Sequence, residues 1–449
     1  MVDIAQVDAP ASDPAFDRGT TPVRAWWMLA VLLTLTTLAF LDRYIVAMLV
    51  QPIKQDLKLT DFEIGLLLGP AFALSYGLAA LPCGWAVDHF ARRRILLISC
   101  FCWSVATMAG GLARSFGALF AARVGVGVGE ASLGPVSYSL LADAFPRRRL
   151  GLATAIFQTG AKLGGAIAFG IGGLFVAWAS YIIGVTPGLA GVAPWHLVLF
   201  MVGAPGLIVA FLTLSFAEPQ RKGVQTEGLT NRAAIVQFAR ENRALLSLMF
   251  AGFGLVGLCN SALIQWVPTF MERRFGWMPI EYGPTLAAIN LVAAAVAIGQ
   301  GAVVDHLYAR GMKDIWLRFY SWLLAIALPI AWAAFVMPSP WACMIFVGAL
   351  NAIALPFFMY ISSTIALVAP SRLRGQLNAS FLTFIGVVSA GLGPLLVGFI
   401  TTYILNDDNA IGTSLMITVG GSLTMAFLII RLALKPARIA ILRSGTAQG

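Results

Sequence analysis

The sequence predicts an all-α membrane protein whose twelve transmembrane helices form two pseudo-symmetric bundles of six. Three observations support this prediction. Hydrophobic residues make up 59% of the 449 residues and charged residues only 11%, whereas soluble proteins carry about 25% charged residues to cover a water-exposed surface. The apolar residues fall into twelve runs of about 20 residues, the length of a helix that crosses a bilayer. In addition, two segments of the first half of the chain recur in the second half.

Six spans are predicted in the first half of the chain. A tail over residues 1–24 precedes them, and its aspartates do not fit a cleaved signal peptide. We therefore expect the tail to be disordered and the first apolar run to remain as a span. The spans of this N-terminal bundle (25–217) run over 25–50, 62–87, 94–113, 116–144, 150–178 and 195–217.

A polar linker over 218–243 separates the halves. It holds five basic residues, and its stretch 231–243 is predicted to be a helix that lies along the membrane surface. The C-terminal bundle (244–433) follows, and a tail over 434–449 comes after it. The spans of this second bundle run over 244–271, 281–308, 315–337, 341–369, 375–404 and 412–433.

The distribution of basic residues among the loops predicts the orientation. Loops on one side hold Arg92–Arg94, Arg147–Arg149 and the linker, whereas loops on the other side hold few basic residues. Because Lys and Arg concentrate in cytoplasmic loops, both termini and the linker are expected in the cytoplasm. An alternative with ten spans and two buried hairpins would break this alternation. The net charge of +10 thus belongs to loops that face anionic lipid, and we expect no nucleic-acid partner.

The two halves repeat a pattern in the same order. The segment 84–92, with Asp88 at its centre, recurs as 301–310, with Asp305 in the matching place, and both copies lie where a second span enters a basic loop. The segment 146–151 matches 370–375 in length, in each case between a fourth and a fifth span. A duplicated six-helix unit accounts for both matches. Parallel halves of this kind occur in transporters that bind their substrate at the interface of the halves.

Two motifs resemble those of the major facilitator superfamily. The segment 84–94, Gly-x-x-x-Asp-x-x-x-Arg-Arg-Arg, is similar to that superfamily's loop motif between helices 2 and 3, with Ala91 in place of the usual Gly. The segment 123–131, Arg-x-x-x-Gly-x-Gly-x-Ala, is similar to its second motif in helix 4. The resemblance covers the whole chain and implies the major facilitator fold and secondary transport by alternating access.

Within the superfamily, the chain resembles the Spinster group of lysolipid and sphingolipid transporters. The resemblance rests on 40–44, Phe-Leu-Asp-Arg-Tyr, in the first span and on 127–132, Gly-Val-Gly-Glu-Ala-Ser, in the fourth, where Pro135 and Ala142-Asp143 follow. It implies an amphiphilic substrate such as a lysophospholipid or a sphingoid phosphate. The compact loops indicate a bacterial member, which we expect in the inner (cell) membrane.

Ionisable residues at membrane depth are costly and mark functional sites. The first half has five: Asp42, Arg43, Arg123, Glu130 and Lys162. The second half offers neutral polar groups, namely Asn260, Gln265, Asn290, Asn351, Tyr360, Ser362, Ser363 and Asn378. A cavity with a charged wall and an apolar wall suits a molecule with a headgroup and a tail.

The five ionisable residues receive two predicted roles. Glu130 and Asp42 are the candidate proton-coupling residues, because desolvation favours a protonated carboxyl group, a nearby arginine favours the ionised form, and motion changes both effects. Arg43, Arg123 and Lys162 are the candidate headgroup and charge-network residues. Two alternatives stay open. Asp42 and Arg123 form a pair that only fixes two helices, and Lys162 reaches the membrane surface instead of lining the path.

By resemblance to the superfamily, Asp88, Arg92, Arg93 and Asp143 are candidates for a cytoplasmic gate. The basic loop between the two aspartates would form pairs that hold the cytoplasmic side shut. The other interpretation is that these charges only set the topology. Glycines of the fifth and eleventh spans are interpreted as surfaces on which helices pack and rock.

No pattern indicates an enzyme, a metal site or a cofactor. The three histidines lie far apart, and the five cysteines fall within apolar runs. Neither a nucleophile motif nor a phosphate-binding loop occurs, and a channel would show polar rings from several subunits. We expect a monomeric, proton-coupled transporter without a cofactor. The alternative is a proton-linked carrier of small organic anions or drugs, which would need polar ligands from both halves.

Overall fold

A computed structural model describes residues 22–221, 232–354 and 357–446. The first half of the chain forms six long helices: α1 (Pro22–Met48), α2 (Asp61–Leu68 and Pro70–His89), α3 (Arg92–Gly110), α4 (Phe116–Glu130 and Leu133–Ala144), α5 (Arg147–Val185) and α6 (Pro194–Leu212). The second half forms six more: α7 (Arg243–Phe275), α8 (Pro279–Ala309), α9 (Ile315–Ala333), α10 (Pro340–Ala354 and Phe357–Val368), α11 (Ser371–Phe399) and α12 (Ile411–Thr446).

Eleven of these helices are long and apolar enough to cross a membrane, within the part of the chain that the structure describes. The remaining helix, α3, begins with the three arginines Arg92–Arg94, which lower its mean hydropathy. It packs along α4 and α6 as a full member of the bundle. The prediction of an all-helical, twelve-helix membrane protein is confirmed.

Several predicted boundaries differ from the structure. The last helix continues to Thr446, so it extends through most of the predicted tail over 434–449. In α5, the helix reaches Val185, seven residues beyond the predicted end of the span. The linker contains a helix over Arg232–Glu241, close to the predicted stretch. The N-terminal tail is helical from Pro22 onward, and residues 1–21 and 222–231 lie outside the described residues.

Proline breaks two helices of the first bundle, and both breaks affect the site. In α2, Pro70 lacks the N–H that would continue the helix from Gly69, and the helix restarts there. In α4, the first segment ends at Glu130, and the second begins at Leu133, two residues before Pro135. The break in α4 thus places an acidic residue at a helix end inside the bundle.

The two bundles contact each other through α2 against α11 and α5 against α8. Glycine makes both contacts possible, because a β-carbon added to Gly69 would overlap the carbonyl oxygen of Gly391, and one added to Gly173 would lie 2.5 Å from the backbone nitrogen of Ile280. These contacts lie toward the end of the molecule where α1 ends and α2 begins, which we call the distal end. The opposite end, with the loops that hold Arg92–Arg94 and Arg147–Arg149, is the basic end.

Candidate functional site

A cavity of about 430 Å³ lies between the bundles. Its wall in the first bundle is charged and aromatic, with Phe40, Arg43, Tyr44, Tyr76, Glu130, Tyr138, Phe157 and Lys162 among its residues. Its wall in the second bundle consists of Asn260, Ile264, Asn290, Phe357 and Phe358. The ionisable side chains of this cavity therefore come from one bundle, and the facing wall is neutral.

Arg43 and Glu130 form an ion pair at the cavity wall. The Nη2 and Nε atoms of Arg43 lie 2.6 and 2.7 Å from the same oxygen, Oε2 of Glu130. The Glu130 side chain is fully buried, whereas 20% of the Arg43 side chain is exposed. The other carboxylate oxygen, Oε1, has no hydrogen-bond partner among the described residues. One oxygen of Glu130 is thus held by arginine, and the other makes no hydrogen bond within the described part of the chain.

Aromatic rings surround the Arg43 guanidinium. Its central carbon lies 4.6 Å from the centroid of the Phe40 ring, 4.4 Å from that of Phe72 and 5.2 Å from that of Tyr76. The face of an aromatic ring attracts a cation at these distances. The rings attract the guanidinium but supply no counter-charge, which comes from Glu130.

Asp42 and Arg123 form a second, looser pair deeper in the first bundle. Arg123 Nη1 lies 3.9 Å from Asp42 Oδ1, and Thr107 donates a hydrogen bond to the other oxygen, Oδ2. Both side chains are buried, and Asp42 Oδ1 and Arg123 Nε have no hydrogen-bond partner among the described residues. A separate cavity of about 20 Å³ touches this pair, which is room for one water molecule.

The structure thus divides the five predicted ionisable residues between two places. Asp42 and Arg43 are neighbours in α1 but face different cavities, as adjacent helical residues must. Lys162 lies on the wall of the large cavity, with Arg43 and Glu130 and not with the second pair.

Of the neutral polar groups noted in the second half, Asn260 and Asn290 line the large cavity. Others are engaged within their own bundle. Tyr360 donates to Gln300 at 3.3 Å, and Asn351 donates to the carbonyl of Val347 at 3.0 Å. The neutral wall therefore offers fewer polar ligands than the sequence alone indicated.

The predicted gate residues lie at the basic end, around Arg92. This arginine is 1% exposed, pairs with Asp143 through Nη1 and lies 3.2 Å from Glu218 Oε1 through Nε. Arg93 donates to the carbonyl of Phe216 at 3.0 Å. At the end of α2, the guanidinium of Arg221 donates hydrogen bonds to the carbonyl oxygens of Val87, Asp88 and Phe90.

These contacts tie the loop between α2 and α3 to α4 and to the start of the linker. The roles of Glu218 and Arg221 were not predicted from the sequence. A signal was present, since Glu218 is an acid at the start of a basic linker, on the side of the membrane where Arg92–Arg94 are predicted.

A family profile for the Major Facilitator Superfamily matches residues 32–394. The chain belongs to the major facilitator superfamily. Proteins of this family are transporters, so the prediction of a transporter and not an enzyme is confirmed, as is a multi-pass integral membrane protein. An MFS-type efflux pump of Mycolicibacterium smegmatis is 26% identical over 409 residues, which cover 89% of this chain and 90% of the pump. A probable L-galactonate transporter of Escherichia coli is 24% identical and covers 95% of this chain and 94% of that protein.

The resemblance to the Spinster group is also confirmed. The crystal structure of a bacterial homologue of the human lysosomal transporter Spinster, in an inward-facing and unoccupied conformation, superposes with a TM-score of 0.72. The two chains are 26% identical, and the match covers 95% of this chain and 98% of the homologue. The protein spinster of Drosophila melanogaster is 26% identical over 259 residues, which cover 57% of this chain and 40% of the fly protein.

At the distal end of this major facilitator protein, a further group of charged residues joins the two bundles. Asp61 is fully buried and accepts from Arg273 of α7, at 2.6 Å to Nη1 and 2.7 Å to Nη2. Lys54 lies 2.7 Å from Asp61 and 2.6 Å from Asp408, and the backbone nitrogen of Phe62 donates to Thr402 at 3.0 Å. We call Lys54, Asp61, Arg273 and Asp408 the distal cluster. Its charges join the first bundle to the second.

In the sequence, Lys54 and Arg273 are among the few basic residues of the less basic loops, and this cluster was not predicted. Asp61 lies 212 residues before Arg273 in the chain, and no local pattern relates them. One local sign was available, because Thr60 and Glu63 form a capping box at the start of α2, a pattern that marks an acid-rich helix start at that point.

A hydrogen-bonded group on the distal side holds the short helix that carries Lys54. This helix, Val50–Leu57, contains Asp56, which accepts from Trp195 Nε1 at 3.0 Å and lies 3.2 Å from His196 Nε2. The other ring nitrogen of His196 lies 2.8 Å from the carbonyl oxygen of Gly111. The distal cluster is therefore fixed to α3 and α6 through Asp56.

Proposed function

We propose that the protein is a proton-coupled secondary active transporter that works by alternating access and moves an amphiphilic, lipid-like substrate of the lysophospholipid or sphingoid phosphate type. The observation that carries the proposal is the asymmetry of the large cavity. Arg43, Glu130 and Lys162 lie on one wall, and Ile264, Phe357 and Phe358 lie on the other. In this proposal the headgroup lies at the charged wall and the hydrocarbon tail at the apolar wall.

The headgroup would bind at Arg43 and Lys162. A phosphate accepts hydrogen bonds from a planar guanidinium in a two-pronged geometry and attracts an ammonium group as a point charge. Arg43 is the more accessible partner of its pair, with 20% of its side chain exposed against none of Glu130. An incoming anion therefore meets the arginine before it meets the carboxylate.

Proton coupling would follow from this competition. When an anionic headgroup takes Arg43, the buried carboxylate of Glu130 loses its counter-charge, and an unpaired buried charge is costly. A proton on the free oxygen Oε1 removes that cost. When the headgroup leaves, Arg43 returns and displaces the proton. Asp42 would act as the second proton-coupling residue, with Arg123 as its partner.

Alternating access would use the two ends of the molecule in turn. The distal cluster and the glycine contacts of α2 with α11 support a form in which the distal end is closed. With the basic end in the cytoplasm of a bacterium and both termini there, this form is inward-facing. Asp88, Arg92, Arg93 and Asp143 would act as a cytoplasmic gate in the opposite, outward-facing form by reaching the second bundle, because the contacts described above lie within the first bundle and the linker. A single copy of the chain contains every residue that the proposal uses, so a monomer suffices.

A second candidate function is a proton-linked carrier of small organic anions or drugs. The M. smegmatis relative is an efflux pump, and the E. coli relative is a probable L-galactonate transporter; each matches about nine tenths of this chain or more. A sugar acid would need hydrogen bonds along its whole length. The neutral wall of the cavity offers a sugar acid only the side chains of Asn260 and Asn290 for hydrogen bonding among the described residues that line it. This arrangement favours an amphiphilic substrate.

Transport by reconstituted protein tests the proposal. Proteoliposomes are loaded with the wild-type protein, and movement of a fluorescent lysophospholipid and of radiolabelled galactonate is measured with and without a pH gradient. The proposal expects movement of the lysophospholipid that the pH gradient accelerates, with little movement of galactonate. If the pH gradient accelerates the movement of galactonate alone, the result would favour the second candidate. If the rate of lysophospholipid movement is the same with and without the gradient, the result would contradict proton coupling.

A further inference from the structure

Phe72 lies between the two ion pairs of the site. The central carbon of the Arg43 guanidinium is 4.4 Å from the centroid of the Phe72 ring, and that of Arg123 is 5.6 Å from the same centroid. Phe72 is 7% exposed. Both distances fall within the range in which the ring face attracts a cation. One buried ring therefore contacts the arginine of each pair.

The helix that carries Phe72 also carries the contact between the bundles. Gly69, Ala73 and Gly77 lie at four-residue intervals on α2 and form a stripe on one face of it. This stripe packs against Gly391 and Val387 of α11; a β-carbon added to Gly77 would lie 2.6 Å from Val387 Cγ2. Phe72 directly precedes Ala73, so it turns away from α11 by about 100° and toward the arginines.

On its other side, α2 is held closely by α4. A β-carbon added to Gly127 would lie 2.7 Å from the carbonyl oxygen of Phe72 and would overlap the Ser75 hydroxyl. Gly127 belongs to the same segment of α4 as Arg123 and Glu130. The backbone of Phe72 is thus in contact with the helix of the charges, and the next residue along α2 faces the opposite bundle.

We propose that Phe72 is a positioning residue that transmits movement of α2 against α11 to Arg43 and Arg123. Two guanidinium groups in one buried site repel each other, and the shared ring offsets part of that repulsion for both. When the bundles rock, α2 shifts against α11, and the ring, whose backbone is held by the α4 segment that carries Arg123, moves relative to Arg43 on α1. The attraction then favours one arginine over the other, and this decides whether Arg43 stays on Glu130.

The inference rests on the proposed proton coupling for its role in transport, but the position of the ring can be tested without a substrate. Infrared difference spectroscopy of the purified protein titrates buried carboxyl groups directly, and Glu130→Gln and Asp42→Asn assign their bands. We expect Phe72→Leu to move the midpoint of at least one of these titrations by about one pH unit, which corresponds to a tenfold change in the proton equilibrium. Phe72→Tyr keeps the ring and should keep the midpoints.

Phe40→Leu is the matched control. The Phe40 ring contacts Arg43 at 4.6 Å but lies on α1, away from the contact with α11. In uptake assays, Phe40→Leu is expected to raise KM and to leave the dependence on the pH gradient in place. Phe72→Leu is expected to lower gradient-driven uptake about tenfold, the scale of typical coupling between sites, and to lower exchange of substrate without a gradient clearly less.

The outcomes separate the two proposals. Unchanged carboxyl titrations in Phe72→Leu, or equal loss of exchange and of gradient-driven uptake, would overturn the positioning role. Wild-type protein that ignores the pH gradient would overturn the proposed function, and the infrared titration would still decide the role of Phe72. If Phe72→Leu does not fold, Phe72→Met has a similar volume and also lacks the ring.

Discussion

At the scale of the residue, the two ion pairs differ in how much a single substitution should cost. Arg123 is buried and is the charged partner of Asp42, at 3.9 Å. Removing it leaves Asp42 with the Thr107 hydrogen bond alone. Breaking a buried pair on one side costs about 3–5 kcal/mol because it strands the remaining charge.

We therefore predict that Arg123→Ala lowers the free energy of unfolding by about 3 kcal/mol, and that Arg123→Ala combined with Asp42→Asn recovers much of the loss. Thermal denaturation of the purified variants measures both. A double variant no more stable than Arg123→Ala would show that the pair does not account for the effect.

Glu130→Gln should behave differently, because it keeps the shape of the side chain and removes only the titrating charge. We predict a melting temperature close to wild type, loss of the acceleration by a pH gradient, and retained exchange of substrate. The measurement is uptake across a range of external pH. Wild-type uptake with the same pH profile would remove Glu130 from proton coupling and leave Asp42 as the candidate.

Asp314 lies at the basic end between α8 and α9, and its contacts predict how the stability of the fold depends on pH. Burial raises the pKa of this carboxyl group, but hydrogen bonds from Arg438 at 2.5 Å and Arg318 at 2.7 Å outweigh burial and lower the pKa below its usual value. Because the pKa of Asp314 is lower in the folded protein than in the unfolded chain, its ionised carboxyl group contributes its full stabilisation above the pKa of the unfolded chain. This stabilisation is lost as the pH falls through the lower pKa of the folded protein.

The difference in melting temperature between wild type and Asp314→Asn should accordingly stay constant from pH 7 to about pH 5 and shrink below about pH 4, near the ordinary pKa of an aspartate. Asp305→Asn is the control, since Asp305 is exposed at the end of α8. A difference that grows toward low pH would contradict the assignment.

At the scale of the element, the sequence predicts most of what positions the site. The apolar runs locate the helices because a bilayer requires about 20 apolar residues for each crossing. Their ends are less predictable, as α12 shows: its last turns bury Ala437 and Ala440 within the protein, and hydropathy alone does not distinguish such turns from a tail. The pairing of Arg43 with Glu130 could not be predicted either, because it depends on how α1 and α4 are rotated about their axes.

The glycine stripe of α2 leads to a prediction about helix packing. In Gly69→Ala, the new methyl group would overlap the carbonyl oxygen of Gly391 on α11, and such overpacking costs about 1–3 kcal/mol. We expect lower thermal stability and greater reactivity of cysteines placed at the distal end. Gly84→Ala, on the same helix, meets no atom within 4 Å and should be tolerated. Equal effects of both substitutions would show that the contact is not the cause.

At the scale of the whole molecule, the distal cluster joins the two bundles at one end. Asp61 is the central acid, with Lys54 and Arg273 as its cationic partners. We predict that Asp61→Asn shifts the protein toward an outward-open form. Spin labels at Gln55→Cys and Met278→Cys, on exposed positions of opposite bundles at the distal end, should show a longer distance in this variant. Asp407→Asn, an exposed acid next to the cluster, should leave the distance unchanged.

The repeat and the basic loops predicted two bundles, yet nothing in the sequence predicted which residues hold the bundles together. The residues of the distal cluster come from the segment after α1, the start of α2, the end of α7 and the segment before α12. Contacts so distant in the chain follow from the assembled fold, and each charge taken alone is an ordinary loop charge.

The distal cluster also gives the transporter a sensitivity to the medium that has nothing to do with its cargo. Each time the distal end opens, Arg273, Lys54 and Asp61 must be rehydrated, and in solution at about 0.15 M salt their attraction is screened beyond about 8 Å. Concentrated salt on the distal side of the membrane would therefore slow reclosure and favour the opened form. The turnover of the carrier would then vary with the osmolarity on that side when a salt supplies it, but not when sucrose supplies the same osmolarity, although no salt ion is carried.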